Sequence, residues 1–154
     1  MRKILFRGKG DKKYNDGCWY YGVPIQCNDG DWQICTDCSK RTVITETIGQ
    51  YTGLTDKNGT KIFEGDILHF KAYRGGGFAC PIGTDIYYRV LFGHCNPDSD
   101  TLSEYVGFWA LDKNYDEDDL YECGNSINYL VGEHGAYVIG NIYDNPELLR
   151  SNTE

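Results

Sequence analysis

The seven cysteines are the residues of this chain best suited to bind a metal or carry redox chemistry. Cys35 and Cys38 form a C-x-x-C motif, the spacing at which two thiolates can share one tetrahedral zinc ion. A zinc site needs a second pair, but Cys18 and Cys27 are too far apart in sequence to form one by spacing alone. We favour isolated thiols, with zinc as the alternative if a hairpin gathers all four. A thioredoxin-like redox role requires a βαβ setting that the sequence does not predict.

Two acidic stretches partly match a calcium-binding loop. Asp112–Asp116 has suitable residues at the first, third and fifth positions, but Glu117 stands where the motif requires glycine. In Asp56–Gly59 the glycine comes too early, and a hairpin turn explains the stretch better. We therefore interpret these stretches as a solvated acidic loop and a turn.

The remaining chemically capable residues form no recognisable catalytic set in the sequence. Gly75–Gly77 is not followed by the Lys-Ser/Thr of a phosphate-binding loop. His94 and Cys95 are neighbours, so on a strand they would point to opposite faces. His69 and His134 have no recognisable partner. We predict no catalytic, cofactor-binding or metal-binding residues, no cofactor and no enzymatic activity.

An aromatic cluster lies near a basic N-terminus. The cluster comprises Trp19, Tyr20, Tyr21 and Trp32, and the basic residues are Arg2, Lys3, Arg7, Lys9, Lys12 and Lys13. Aromatics of this kind can stack nucleic-acid bases. However, a net charge of -8 and a pI near 4.8 disfavour nucleic acid. Core packing or a subunit interface is the favoured interpretation.

Short β-forming segments separated by turn residues must position these side chains. Pro24 predicts an edge position or a bulge, and Asn58-Gly59 favours a type I′ turn. We expect a short helix around Glu117–Cys123 and a last helical turn with Asn145 as N-cap and Pro146 at its first position. Strands are predicted over residues 3–9, 18–27, 32–35, 41–48, 62–63, 67–70, 86–92, 106–111 and 136–143.

This series of short strands predicts a mainly β fold with little helix. We expect a smaller N-terminal β region over residues 1–48, a strand plus a hairpin. An SH3-like barrel or roll follows over residues 49–146, with an acidic insert at 112–130, and residues 147–154 form a C-terminal tail. The turn at Glu64–Asp66, which launches a strand, is typical of SH3-like barrels.

Chain length, the pattern of apolar residues and the number of cysteines also indicate where in the cell the protein is expected. A chain of 154 residues can bury a core without disulfides or a metal. The sequence has no apolar run of about 20 residues and no signal-peptide pattern. The odd number of cysteines fits reduced thiols. We expect a cytoplasmic protein that makes no membrane contact.

Four blocks of the sequence resemble the YopX-like family of phage and prophage proteins. They are residues 1–9, residues 17–22, the segment from Ile48 through Asp56–Gly59 to Ile67, and residues 138–149. The resemblance implies a C-terminal SH3-like barrel, a smaller N-terminal β region and a phage or prophage origin. It implies no activity. The chain departs from the family pattern in its cysteine-rich stretch Cys27–Cys38 and in its acidic stretch Asp112–Tyr129.

The functional expectation is a non-enzymatic accessory protein that binds another protein, from the host or the phage, or assembles with itself as a homo-oligomer. The alternative is a nucleic-acid-associated β-barrel module that uses the basic N-terminus. A third hypothesis, based on charge alone, is that the acidic segment at 112–130 mimics DNA. The sequence leaves open the identity of the partner and the number of subunits.

Overall fold

The computed structural model describes residues 4–14, 16–73, 80–95, 105–119 and 124–150. The chain forms two compact units that divide between Gly53 and Leu54. The strands are β1 Phe6–Lys9, β2 Trp19–Gln26, β3 Trp32–Cys35, β4 Lys40–Val43, β5 Gly49–Thr55, β6 Lys61–Phe63, β7 Asp66–Lys71, β8 Asp85–Cys95, β9 Tyr105–Asp112, β10 Asn125–Ser126 and β11 Tyr137–Asn141. The mainly β class is confirmed, whereas the SH3-like barrel stays a prediction.

The first unit is an antiparallel sheet in the order β4-β3-β2-β1, with the start of β5 on the other side of β1. One face buries Ile34 and Val43, which are 0% and 4% exposed. Gly8 lies against Val43, where a larger side chain would crowd it. Pro24 pairs with Ile34 of β3, beyond the point where the register of β1 stops at Gly22. Strand β2 is thus an interior strand of the sheet, but among the described residues Pro24 has a strand partner on one side only.

The predicted single strand over residues 41–48 is wrong. Strand β4 ends at Val43, and a 3-10 turn over Thr45–Thr47 follows before β5 begins. The hydroxyl of Thr47 donates to the carbonyl of Ile44 at 2.6 Å and accepts from the amide of Lys9 at 2.9 Å. Such local side-chain bonds compete with the strand ladder, which explains why β-branched residues turn here.

The second unit contains a five-stranded antiparallel sheet in the order β10-β9-β8-β7-β11. One face of this sheet, together with a helix, encloses the main apolar core. Its most buried members include Leu68, Val90, Ala110 and Leu130, each 0% exposed. Strand β8 is the central strand of this sheet, with β9 and β7 on its two sides, and β11 forms one edge.

The loop between β5 and β6 turns at Asn58-Gly59 as predicted, but the type I′ conformation is wrong. Gly59 has a φ of 80°, and no described residue other than glycine has a positive φ. Type I′ needs two such residues in succession. Instead, the amide of Gly59 donates to the carbonyl of Asp56, and the Asp56 carboxylate accepts from the amides of Asn58 and Thr60.

The helix predicted around Glu117–Cys123 falls partly on residues 120–123, which lie outside the described residues, so it stays a prediction. In its described part, Glu117–Asp119 forms a 3-10 turn. Helix α1 spans Ile127–His134, within and beyond the predicted acidic insert. Its N-cap is Ser126, and its C-cap is Gly135, with a φ of 62°.

The last helical turn is confirmed as a 3-10 turn over Pro146–Leu149, with Pro146 at its start. Asn145 precedes the turn but makes no side-chain cap. Its side-chain oxygen instead accepts from the amide of Asn141 at 3.4 Å. Among the described residues, no helix is long and apolar enough to cross a membrane.

Candidate functional site

Three polar aromatic side chains form a row across the middle of the second unit. His69 on β7 lies opposite Tyr137 on β11 and opposite Tyr87 on β8. Side chains of directly opposed residues lie on the same face of a sheet. The His69 ring centroid is 5.4 Å from that of Tyr137 and 5.1 Å from that of Tyr87. The β7 register therefore places a histidine between two tyrosines.

Both ring nitrogens of His69 have partners, so the prediction that this residue lacks one is wrong. Nε2 is 2.7 Å from Oδ1 of Asp85, and Nδ1 is 3.1 Å from the hydroxyl of Tyr137. The His69 residue is only 9% exposed. An ionised carboxylate can only accept, so Nε2 must carry a proton. In the neutral ring Nδ1 then accepts, and the hydroxyl of Tyr137 is its donor.

Lysines flank this row on both sides. The ammonium group of Lys71 lies 3.2 Å from Oδ1 of Asp85. Lys57 places its Nζ 4.4 Å from the ring centroid of Tyr137, and Lys113 lies 5.0 Å from that of Tyr87. Hydrogen bonds from His69 and then Lys71 lower the pKa of Asp85. This carboxylate therefore stays ionised and keeps the imidazole in one tautomer.

The lowered pKa of Asp85 predicts a contribution to acid sensitivity. A carboxylate whose folded pKa lies below its ordinary value of 3.8 stabilises the fold above that pH. The contribution is lost as the pH falls through the lowered folded value. We expect the Asp85→Asn variant to lose this component, measured as a smaller change in urea midpoint between pH 6 and pH 3. An equal change in urea midpoint between pH 6 and pH 3 in the wild type and in Asp85→Asn would contradict this prediction.

The row can move a proton along an ordered series of groups. A hydroxyl, a base and a carboxylate that orients the base are the three parts of an activated nucleophile. By contrast, His134 packs among the rings of Phe70, Tyr73 and Tyr129, at centroid distances of 5.2, 5.5 and 4.7 Å. Burial lowers the pKa of His134. His134 therefore has the surroundings of a packing residue.

The four cysteines considered for zinc are not gathered into one site. Among the described residues, no group of three or more His, Cys, Asp or Glu side chains could hold a metal ion. Cys35 ends β3, and Cys38 lies exposed in the turn that follows. A hydrogen bond to the carboxylate of Asp16 raises the pKa of the Cys18 thiol. This disfavours the thiolate form that binds metals.

The other sequence candidates give no assembled site in the described part of the chain. Asp112 accepts from the amide and the side chain of Asn114, at 2.9 and 2.7 Å, and so closes a local turn. Gly75–Gly77 lies outside the described residues, as do the side chains of His94 and Cys95.

The predicted aromatic cluster is divided between the two faces of the first sheet. Trp19 and Tyr21 alternate with Tyr20 along β2, so they point to the opposite face. Arg7, which faces Tyr21 across the β1–β2 register, places its guanidinium 4.6 Å from the ring of Trp19. The Arg7 residue is 6% exposed. It is therefore poorly placed for a phosphate contact, and Lys3 lies outside the described residues.

A second candidate surface is the far end of the β8–β9 hairpin, here called the distal hairpin (residues 91–93 and 106–108). Phe92 and Phe108 are directly opposed, with ring centroids 5.0 Å apart. Phe92 is 53% exposed and Val106 is 59% exposed. Both belong to the face that carries the core residue Val90. The apolar face of the sheet therefore extends beyond the enclosed core to the surface.

Comparison with known proteins finds one matching family model and a solved structure of similar length. The model of the YopX protein family matches residues 6–75 of this chain. The crystal structure of protein EF1440 from Enterococcus faecalis is similar with a TM-score of 0.49 and 20% sequence identity, over 97% of this chain and 100% of that chain. No curated protein matches. The family resemblance indicated by the sequence blocks is confirmed, and the block at residues 138–149 lies outside the matched stretch.

Proposed function

We propose that this YopX-like chain is a non-enzymatic phage or prophage accessory protein that binds protein chains, in the first place a second copy of itself. We place this activity in the cytoplasm of a host bacterial cell. The observation that carries the proposal is the exposed apolar face of the distal hairpin.

Part of the support is that, among the described residues, the neighbouring strands do not pair along the whole of this hairpin. The register of β7 on β8 runs only as far as Arg89, and that of β10 on β9 reaches only Trp109 and Ala110. Beyond these points the described parts of β8 and β9 pair with each other. A two-stranded ribbon has little independent stability in water. Its outer edges also offer backbone groups to which a further strand can bind.

The composition of the ribbon favours a second copy over a charged partner. Residues 90–95 and 105–111 contain no Asp, Glu, Lys or Arg, although 25% of the whole chain is charged. The described part of this ribbon therefore offers no countercharge to a charged partner, although the connecting residues 96–104 include Asp98, Asp100 and Glu104. Two copies related by a twofold axis present identical surfaces, and identical edge strands then pair antiparallel. Edge pairing leaves the faces of the sheet exposed, so face-to-face packing of the two ribbons is the arrangement that would cover Phe92 and Val106.

The proposal predicts a concentration-dependent homo-oligomer. Light scattering after size-exclusion chromatography should show the wild-type chain as a dimer or larger at about 100 µM, a concentration that detects micromolar association. The Phe92→Ser, Val106→Ser double variant should weaken association by about 30-fold, the effect of losing a contact worth about 2 kcal/mol. Both side chains are exposed in the single chain, so its stability should change little.

A matched control comes from another exposed apolar side chain of the same unit. Ile82 is 69% exposed and lies outside the distal hairpin. Ile82→Ser should leave association unchanged. A wild-type chain that stays monomeric at the highest concentration would overturn the self-assembly proposal. Equal weakening by Ile82→Ser and by the double variant would overturn the role of the hairpin.

The alternative function, a nucleic-acid-associated module at the basic N-terminus, has weaker support. The burial of Arg7 against Trp19 removes one of the six basic N-terminal residues from contact with phosphates. Salt-sensitive retardation of single-stranded DNA or RNA, lost when Lys9 is changed to Glu, would favour this alternative.

A further inference from the structure

We propose that Tyr137 is a reactive acceptor hydroxyl that His69 and Asp85 prepare for attack on an electrophilic phosphoryl group. The proposal concerns covalent modification of this chain and does not depend on self-association through the distal hairpin. It rests on the order of hydrogen bonds in the row across β11, β7 and β8.

The first step is the direction of each hydrogen bond. Asp85 accepts from Nε2 of His69 at 2.7 Å, which leaves the lone pair of Nδ1 directed at the hydroxyl of Tyr137, 3.1 Å away. The His69 side chain is 11% exposed and is flanked by the rings of Tyr87 and Tyr137, so it cannot swing away easily. The hydroxyl of Tyr137 is thus hydrogen-bonded to a base of fixed tautomer. This is the arrangement of nucleophile, base and orienting group.

The second step is the charge near the ring. The ammonium group of Lys57 lies 4.4 Å from the ring centroid of Tyr137. As the hydroxyl loses its proton, negative charge develops on the oxygen and spreads over the ring. A cation at this distance stabilises that charge. Lys57 therefore assists the same step that His69 begins.

The third step is the contrast with other tyrosines of the chain, which has thirteen in all. Tyr73 is 45% exposed, and its hydroxyl donates to the backbone carbonyl of Glu133 at 3.0 Å. A carbonyl oxygen does not take up a proton at neutral pH. If exposure decides reactivity, the hydroxyl of Tyr73 should react faster. If removal of the proton by a base decides it, the hydroxyl of Tyr137 should react faster. The two residues therefore separate reactivity due to exposure from reactivity due to the base.

The reaction with a phosphoryl fluoride can be written in full. The oxygen of Tyr137 attacks phosphorus, a P–O bond forms, and the P–F bond breaks. Fluoride leaves with the electron pair of the broken bond. The phenolic proton passes to Nδ1 of His69 and then to solvent. No oxidant or reductant is required, and the product is a phosphotyrosine ester.

The test uses the whole chain and diisopropyl fluorophosphate near pH 7.5, with labelled peptides quantified by mass spectrometry over time. We expect Tyr137 to be labelled at least about tenfold faster than Tyr73, a conservative value for assistance by a positioned base. Labelling of Tyr137 at the same rate as Tyr73, or more slowly, would overturn the proposal.

The Asp85→Asn variant tests the relay itself. With its oxygen toward Lys71, an amide at this position donates to Nε2, which places the ring proton on Nδ1 and removes the acceptor for Tyr137. Labelling of Tyr137 should fall about tenfold or more, while labelling of Tyr73 and the circular dichroism spectrum stay unchanged. The control is Lys71→Ala, which removes the other partner of Asp85 but preserves the tautomer and should keep most of the labelling. Unchanged labelling in Asp85→Asn would overturn the assignment.

Discussion

Replacing Asp56 with alanine is expected to lower the free energy of unfolding by about 3 to 4 kcal/mol, since three amide donors lose a charged acceptor. Oδ1 accepts from the amides of Asn58 and Thr60 at 2.8 and 2.9 Å, and Oδ2 accepts from that of Val138 at 3.0 Å. The residue is 5% exposed, so water cannot replace the lost acceptor fully. Urea unfolding at pH 7 measures the effect.

The direction of the pKa shift supports this expectation. Burial by itself would raise the pKa of Asp56, but the amides of Val138, Thr60 and Asn58 outweigh it and the net pKa is lowered. The charged form is therefore the stabilising form, and its contribution is lost as the pH falls below 3.8 through the lowered folded value.

Two variants make the Asp56 prediction specific. Asp56→Asn keeps the shape of the side chain and one acceptor oxygen. Its NH2 group, however, replaces the other oxygen and meets a backbone N–H donor. The loss in the free energy of unfolding should therefore be intermediate. Asp29 occupies a comparable turn but is exposed, and its Oδ1 accepts only from the amide of Asp31, at 3.2 Å. Asp29→Ala should cost at most about 1 kcal/mol. A loss in Asp56→Ala no larger than that of Asp29→Ala would contradict the prediction.

The strands could largely be predicted from sequence because their signals are local. The predicted bounds 32–35 agree with those of β3. β-branched and aromatic residues between glycine-containing turns favour a strand wherever the chain is half-buried. The segment at 41–48 failed because Thr47 uses its hydroxyl to close a turn on Ile44. Such a bond forms only where the strand ends, and the pattern of residue types does not indicate the end of the strand.

Helix α1 had a signal that the acidic composition around it concealed. Ile127, Leu130 and Val131 follow the helical spacing, and Ser126 and Gly135 are suitable caps. Two of the apolar side chains, Ile127 and Leu130, are buried. The local propensity is weak because β-branched residues and Gly132 disfavour a helix. Burial against the sheet overrides that propensity, and burial is a property of the tertiary fold.

The row of His69 and its partners could not be predicted from sequence spacing. The hydrogen bonds of His69 join it to Asp85, 16 residues away, and to Tyr137, 68 residues away. Their meeting depends on the register of β7 with two neighbouring strands. The register of β11 shifts at an irregularity between Val138 and Gly140. A displacement of one residue would send Tyr137 to the other face.

Gly22→Ala is expected to lower the free energy of unfolding by about 3 kcal/mol, at the upper end of the usual cost of overpacking. A Cβ at this position would overlap the carbonyl oxygen of Cys35 and lie 2.7 Å from its carbonyl carbon. It would also lie 3.1 Å from Cγ2 of Ile34, which is fully buried. These backbone atoms belong to β3 and cannot rotate away, so β2 and β3 must separate. Hydrogen exchange should show lost protection at the β2–β3 amides.

Gly132→Ala is the control that makes the Gly22 prediction informative. Apart from its two chain neighbours and the backbone of helix α1 itself, no described heavy atom lies within 4 Å of a Cβ built at Gly132. Alanine should stabilise the helix there by about 0.5 to 1 kcal/mol. The same substitution is thus expected to lower the free energy of unfolding at Gly22 and to raise it at Gly132, because another strand's backbone lies close only to Gly22. Full protection of the β2–β3 amides in Gly22→Ala would show that the two strands do not approach each other so closely.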